Sequence, residues 1–220
     1  MLLLKNMKIL ILLTTISFLL AAANVQAGPN FVFILADDMG YGDVSHAGGK
    51  ISTPNLDKLR AQGMRFTDAH TTSSVCTPTR YGILTGRYNW RSRLKKGVLF
   101  PPDRSIMDPA RKTIAGFLKD RGYRTCVVGK WHLGLNWHML PRPAKAATGP
   151  TKGTCWNIDF SQPPQQGPLK LGFTEDFLFP ASLDMAPYLY LRNDRVTAIP
   201  TVSKGWNRQG PATPDFEAKN

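Results

Sequence analysis

Apolar positions along the chain alternate between short unbroken runs and helical spacings. Asn30 to Ala36, N-F-V-F-I-L-A, is a continuous run rich in β-formers, which predicts a strand covered on both faces. Thr53-Pro54 before N-L-D-K-L-R-A-Q-G predicts a helix with a threonine cap, proline in its first turn, apolar residues at 56 and 59 and Gly63 as its stop. Met64 to Ala69 reads as a short strand leading to His70, which is taken as structural. Thr113 to Arg121 has apolar residues at 114, 117 and 118 and ends at Gly122, again a helix. Tyr123 to Val128 is the next strand, Lys170 to Phe179 a further strand region, and Asp184 to Pro200 a strand or short helix. Leu140 to Pro168 is rich in Pro, Gly, Lys and Gln and reads as a long loop with Cys155 and Trp156 packed locally. This βαβ rhythm predicts an α/β fold with a largely parallel sheet.

The two ends depart from that rhythm. Lys5 and Lys8 precede the apolar run Ile9 to Leu20 and the small-residue stretch ending Val25-Gln26-Ala27. This is the layout of a cleavable secretory signal, so residues 1–27 are read as a signal peptide and 28–220 as the mature part. The alternative is a membrane anchor, but about twelve largely apolar residues fall short of the roughly twenty a span needs. Hence the expectation is a secreted or periplasmic protein with no stable membrane span. At the other end P-A-T-P-D-F-E-A-K-N closes no element, and the chain is expected to be the N-terminal portion of a longer domain.

Composition is that of an ordinary globular chain, 42% hydrophobic and 20% charged over 220 residues. The charge is not ordinary. A formal +13 becomes +11 once Lys5 and Lys8 leave with the signal, and R-S-R-L-K-K from Arg91 to Lys96 concentrates four cations in six residues. Such a run suits a polyanion, whether nucleic acid, anionic lipid or sulfated glycan; it is equally a solvated basic face. Of three cysteines, Cys126 and Cys155 could pair, or Cys126 could be buried in its strand.

Three short segments carry candidate chemistry. Asp37-Asp38 closes the first apolar run at what would be the carboxyl end of a strand. Two hard oxygen donors there suit calcium or magnesium; the plainer reading is that one of them caps the next turn. Ser73 to Arg87, S-S-V-C-T-P-T-R-Y-G-I-L-T-G-R, joins turn-formers to a helical start. Cys76 then lies at or just before a helix N-terminus, where free N–H groups favour a negative charge, with Arg80 one turn on the same face. A thiolate nucleophile, a metal ligand and a buried thiol all remain open for Cys76. Finally, Gly129-Lys130-Trp131-His132-Leu133-Gly134 follows a strand. Lys130 could hold an anion there while His132 exchanges a proton, or both belong to a basic surface loop.

C-T-P-T-R with the trailing L-T-G-R resembles the type I sulfatase motif, whose cysteine is oxidised to formylglycine. G-K-W-H-L-G is similar to the second well-known sulfatase segment, and the D-D pair stands in family order before them. The chain is thus identified as resembling the N-terminal half of a type I, arylsulfatase-like sulfatase, which implies an alkaline-phosphatase-like fold, a mostly parallel central sheet flanked by helices. The resemblance implies that Cys76, as hydrated formylglycine, is the nucleophile and a ligand of calcium. Asp37 and Asp38 would be further metal ligands. By the same resemblance Arg80 orients the nucleophile, Lys130 holds the sulfate and His132 acts on the formylglycine hydroxyl. A formylglycine-generating enzyme would be a maturation partner.

Family members carry further residues later in sequence: an Asp and an Asn or Gln for calcium, a second lysine, and a histidine that protonates the leaving group. Neither His138 nor Lys204 stands in a matching context, so this stretch alone is expected to lack activity. The substrate implied is a sulfate ester, with export and basic charge favouring a sulfated carbohydrate over a small aryl sulfate; no nucleic-acid partner is expected. Two other readings stay open: a phosphatase or phosphonate-ester hydrolase on the same fold, and a non-catalytic polyanion- or glycan-binding protein using Arg91 to Lys96.

Overall fold

The structure, a computed structural model, describes residues 28–101, 103–141 and 157–200. The signal segment, Cys155, Trp156 and Lys204 lie outside the described residues. The chain divides into two units, Met1–Thr67 and Asp68–Asn220, each described by itself.

In the first unit, α1 spans Pro54–Gln62 with Pro54 in its first turn. Thr53 does not cap α1 through its side chain. Its hydroxyl accepts the Ser45 backbone N–H at 3.0 Å, while the Ser45 hydroxyl donates to Asp57 Oδ2 at 2.6 Å and His46 Nδ1 meets Asp57 Oδ1 at 3.0 Å. The hydrogen bond from Ser45 holds the Asp57 carboxyl below its usual range. Two strand expectations fail here. Residues 30–36 and 64–69 form no strand, and Phe31, Val32, Phe33, Ile34, Met64 and Phe66 are exposed. A strand exists only within a ladder, and among the described residues neither run joins the sheet. Leu56 and Leu59, the apolar positions of this helix, are exposed as well.

The second unit contains the core. After α2 (Cys76–Thr85) and α3 (Ile114–Lys119), β1 (Cys126–Lys130) pairs in parallel with β2 (Glu175–Phe179), in the register Cys126 to Glu175 through Lys130 to Phe179. β3 (Leu191–Arg192) and β4 (Arg195–Val196) continue the sheet antiparallel. The parallel expectation therefore holds for β1–β2, and the added hairpin makes the described sheet mixed. β2 alternates as a half-buried strand should, with Asp176 and Leu178 inward and Phe177 outward, where it stacks on Tyr190 at 5.4 Å. Leu178, Leu191, Trp131, Leu133 and Leu135 are fully buried, each leucine contributing about 2 kcal/mol by burial.

The segment around α3 is thinner than its pattern predicts. Thr113 caps α3 by accepting the Gly116 N–H at 3.0 Å and donates to the Leu171 carbonyl at 2.5 Å. Ala115 is buried, whereas Ile114 and Phe117 are largely exposed and Arg121 sits 3.5 Å over the Phe117 ring. Cys126 is exposed with no disulfide among the described residues, which corrects the buried reading.

Asn193 and Asp194 form the two-residue turn between β3 and β4 with φ of 50° and 61°, the left-handed pair that a tight hairpin needs and that Asn and Asp tolerate best. This turn folds a second carboxyl against Asp176. The Asp194 N–H donates to Asp176 Oδ2 at 3.2 Å, the Asp176 N–H donates to Asn193 Oδ1 at 3.1 Å, and both carboxyls keep a buried Oδ1 without a partner among the described residues. Burial first, and the Asp176 charge second, push the Asp194 pKa up to about 6 from 3.8, against a pull from Lys170. A carboxyl whose folded pKa is raised favours the folded state in acid, and that contribution is lost as pH rises from about 4 through 6. Asp194→Asn, which keeps the turn and removes the charge, is therefore expected to melt several degrees above the parent at pH 7.5, the gap closing at pH 4.5. Equal melting temperatures at both pH values would show that the pair carries no such cost.

Candidate active site

The stretch before α2 is strapped to the helix by its own hydroxyls. Thr79 Oγ1 donates to the Ser73 carbonyl at 2.7 Å and Thr72 Oγ1 to the Pro78 carbonyl at 3.4 Å. Gly82 allows this approach, since a Cβ there would fall 2.2 Å from Thr72 Oγ1. Val75 is extended, and Cys76 is the first residue of α2, half-buried. Pro78 occupies the first turn, where its missing N–H costs nothing. The remaining first-turn N–H groups and the helix dipole make position 76 electropositive.

β1 delivers the second group of residues. Its parallel pairing runs on past the strand, with the Trp131 N–H donating to the Phe179 carbonyl at 3.1 Å and the His132 N–H to the Pro180 carbonyl at 3.0 Å. Lys130 and His132 thus stand at the carboxyl end of a parallel strand, the edge where α/β sheets place their ligands. His132 takes φ of 52° there.

Two side chains of α2 reach this end. Thr77 Oγ1 donates to the His132 carbonyl at 2.9 Å, and an Arg80 guanidinium N–H donates to the Lys130 carbonyl at 2.6 Å. Thr77 Oγ1 also accepts the Leu99 N–H at 3.2 Å, and His132 Nε2 lies 2.9 Å from the Leu99 carbonyl. Thr77, Leu99 and His132 form a closed hydrogen-bonded triangle that fixes residue 76 relative to the strand end. Sequence reasoning gives Thr77 no part. Its only signal was its place inside C-T-P-T-R, a position that carries no titratable group.

The triangle also decides the state of His132. A carbonyl accepts only from an N–H, so Nε2 carries the proton, and Nδ1, buried and without a hydrogen-bond partner among the described residues, holds the lone pair. Burial pushes the pKa of His132 down, and the charges of Lys130 and Arg80 push the same way. It is a neutral imidazole with one orphaned acceptor. A cavity of about 20 Å³ beside it, lined by Leu99, Asp103, His132 and Trp137, has room for a water.

Of the residues singled out by sequence, the structure brings Cys76, Arg80, Lys130 and His132 to one corner of the second unit. Asp37 and Asp38 stand exposed in the first unit, after the extended run. Their carboxylates have the hard-oxygen chemistry calcium takes, but two of them fill only part of a shell of about six to eight oxygens. Among the described residues no group of three or more His, Cys, Asp or Glu side chains is placed to hold a metal.

Residues 29–174 match the sulfatase family model. The chain is 38% identical over 192 residues to an N-acetylgalactosamine-6-O-sulfatase of Bacteroides thetaiotaomicron, covering 87% of this chain and 33% of that protein. It is 48% identical over 118 residues to human arylsulfatase A, covering 53% of this chain and 23% of the relative. A solved Bacteroides thetaiotaomicron structure, described in connection with the metabolism of multiple glycosaminoglycans, superposes with a TM-score of 0.64 at 40% identity over 76% of this chain and 32% of that one. The chain spans about a third or less of the length of these proteins.

Proposed function

Because the chain belongs to the sulfatase family, with its alkaline-phosphatase-like α/β fold, we propose that the protein it belongs to is an exported hydrolase of sulfate esters, acting on a sulfated carbohydrate. The observation that supports this most is the tie of the N-terminal half of α2 to the end of β1 through Thr77 and Arg80, which brings position 76 toward the strand end that carries Lys130 and a neutral His132. Export rests on the leader at 1–27, and no helix of the described residues is long and apolar enough to cross a membrane. The carbohydrate preference rests on basic charge and on the substrate that the name of the Bacteroides relative gives.

Position 76 fits a formylglycine, being half-buried at a helix N-terminus that favours negative charge. Hydrated, that group supplies two hydroxyls on one carbon, one to attack sulfur and a second whose ionisation lets sulfate leave. Lys130 neutralises the sulfate oxygens, and Arg80, anchored on the Lys130 carbonyl, keeps a second positive charge beside them. His132 accepts a hydroxyl proton at Nδ1, the atom its bond to Leu99 leaves with a lone pair. Asp37 and Asp38 would offer carboxylates to calcium, the hard cation that such donors select. Maturation would need a formylglycine-generating enzyme as a partner.

Mass spectrometry of the peptide containing residues 71–80, from protein made alongside a formylglycine-generating system, tests the reading. The expected result is a loss of about 18 mass units at Cys76, thiol to aldehyde. An unmodified thiol under conditions that convert a control sulfatase would overturn it and favour phosphate or phosphonate esters on the same fold.

A further inference from the structure

Downstream of α2 the chain makes a tight, internally bonded turn. Asn89 is buried and donates from Nδ2 to the Leu94 carbonyl at 2.8 Å, while its own carbonyl accepts from the Ser92 N–H at 2.8 Å and the Ser92 hydroxyl at 2.6 Å. With Asn89 and Leu94 turned inward, Tyr88 and Trp90 are turned out. Their rings stack on each other at 4.0 Å and 11°, yet remain 48% and 52% exposed. A stacked aromatic pair that still shows half its surface to water has an outer face to offer.

Cations surround this pair. Lys95 Nζ donates to the Trp90 carbonyl at 2.6 Å, and the Arg87 guanidinium reaches the Arg91 carbonyl at 3.5 Å. Arg91 and Lys96 are exposed, and none of Arg91, Arg93, Lys95 and Lys96 makes an ion pair among the described residues. No Asp or Glu occurs between Asp68 and Asp103. The segment itself thus carries positive charge alone, which attracts an anion to the ring pair.

We propose that the Tyr88–Trp90 stack and the cations at 91, 95 and 96 form a second binding surface of the protein, for a chain of sulfated sugars. A pyranose ring presents a face of C–H bonds that packs on an aromatic ring, while sulfates at its rim meet ammonium and guanidinium groups. This surface lies at the opposite end of α2 from Cys76, about 15 Å along a ten-residue helix. A sugar bound there leaves position 76 unobstructed. The surface holds a polymeric substrate without touching the bond that is cut. The inference rests on the sulfated-carbohydrate reading of the protein, but binding reads this surface and turnover reads that function, so either can fail alone.

The test uses the full-length protein, immobilised chondroitin sulfate as the binding probe and 4-nitrophenyl sulfate as the small substrate. Trp90→Ala and the pair Arg91→Gln with Lys96→Gln are each expected to weaken chondroitin sulfate binding about tenfold, the scale of one lost ring contact. Trp90→Phe should restore most of the binding, and 4-nitrophenyl sulfate turnover should not change. Unaltered binding in both variants overturns the proposal. So does a loss confined to the charge pair, which would leave only a basic face, or tighter binding of a single-stranded oligonucleotide than of chondroitin sulfate. A parent that binds the glycan through these residues but hydrolyses no sulfate ester would instead sink the hydrolase reading.

Discussion

Cys76→Ala in the full-length protein is expected to lower turnover of sulfate esters at least about 10⁴-fold, the scale on which removal of a nucleophile acts. Its melting temperature should stay close to that of the parent. The two expectations separate because the anchoring of α2 does not run through the thiol. Thr77 and Arg80 make the bonds to the end of β1, and Ala at 76 keeps both. Steady-state hydrolysis of 4-nitrophenyl sulfate, with calorimetry on the same preparations, checks it. Retention of a tenth of the activity would take position 76 out of the chemistry, and a large drop in melting temperature would make any loss of activity uninformative about the nucleophile.

The largest effect on stability is expected at Gly172. Its φ is +101°, and a Cβ there would fall 2.3 Å from both Cα and N of Gly116 in α3. The neighbours cannot give way cheaply, because the Leu171 carbonyl accepts from Thr113 and the Gly172 carbonyl from Thr125 Oγ1 at 2.7 Å. Left-handed strain and a backbone collision together put the cost of Gly172→Ala at about 4 kcal/mol. Gly122→Ala is the control. It has φ of +83° with open space around its Cβ position, so it should lose only about 1 kcal/mol. Equal losses in chemical denaturation would mean that the contact between α3 and residue 172 carries no load.

What the sequence made legible was local. The helix within Thr113 to Arg121, the helix start at Cys76 and the strand leading into Gly129 and Lys130 each depend on residues within a turn or two, and each stands within a few residues of its expected place. Pairing was not legible. The run N-F-V-F-I-L-A has a strand's composition but joins no sheet among the described residues, and nothing in its own letters could reveal that. Likewise the β3–β4 hairpin turns on Asn193-Asp194, a turn signal inside the stretch Asp184 to Pro200 that reads equally as a strand or a short helix. Cys126 sits in an apolar run and is nevertheless exposed, because its strand lies with that face uncovered. At the site, the titratable residues were found by type. The hydroxyl of Thr77, which fixes their geometry, has no charge to betray it, and the orphaned Nδ1 of His132 exists only because a distant carbonyl at Leu99 claims the other nitrogen.

The uncovered residues 31–35 also bear on how the molecule behaves in a crowd. Four of the five are largely bare, and the run contains neither a charge nor a proline to spoil stacking. Two copies meeting along this ribbon would cover each other's exposed apolar side chains, and a third could add to the second. Loss of material from solution should therefore steepen with concentration, and the ceiling on how densely the chain can be handled is set by this ribbon, not by the well-packed second unit.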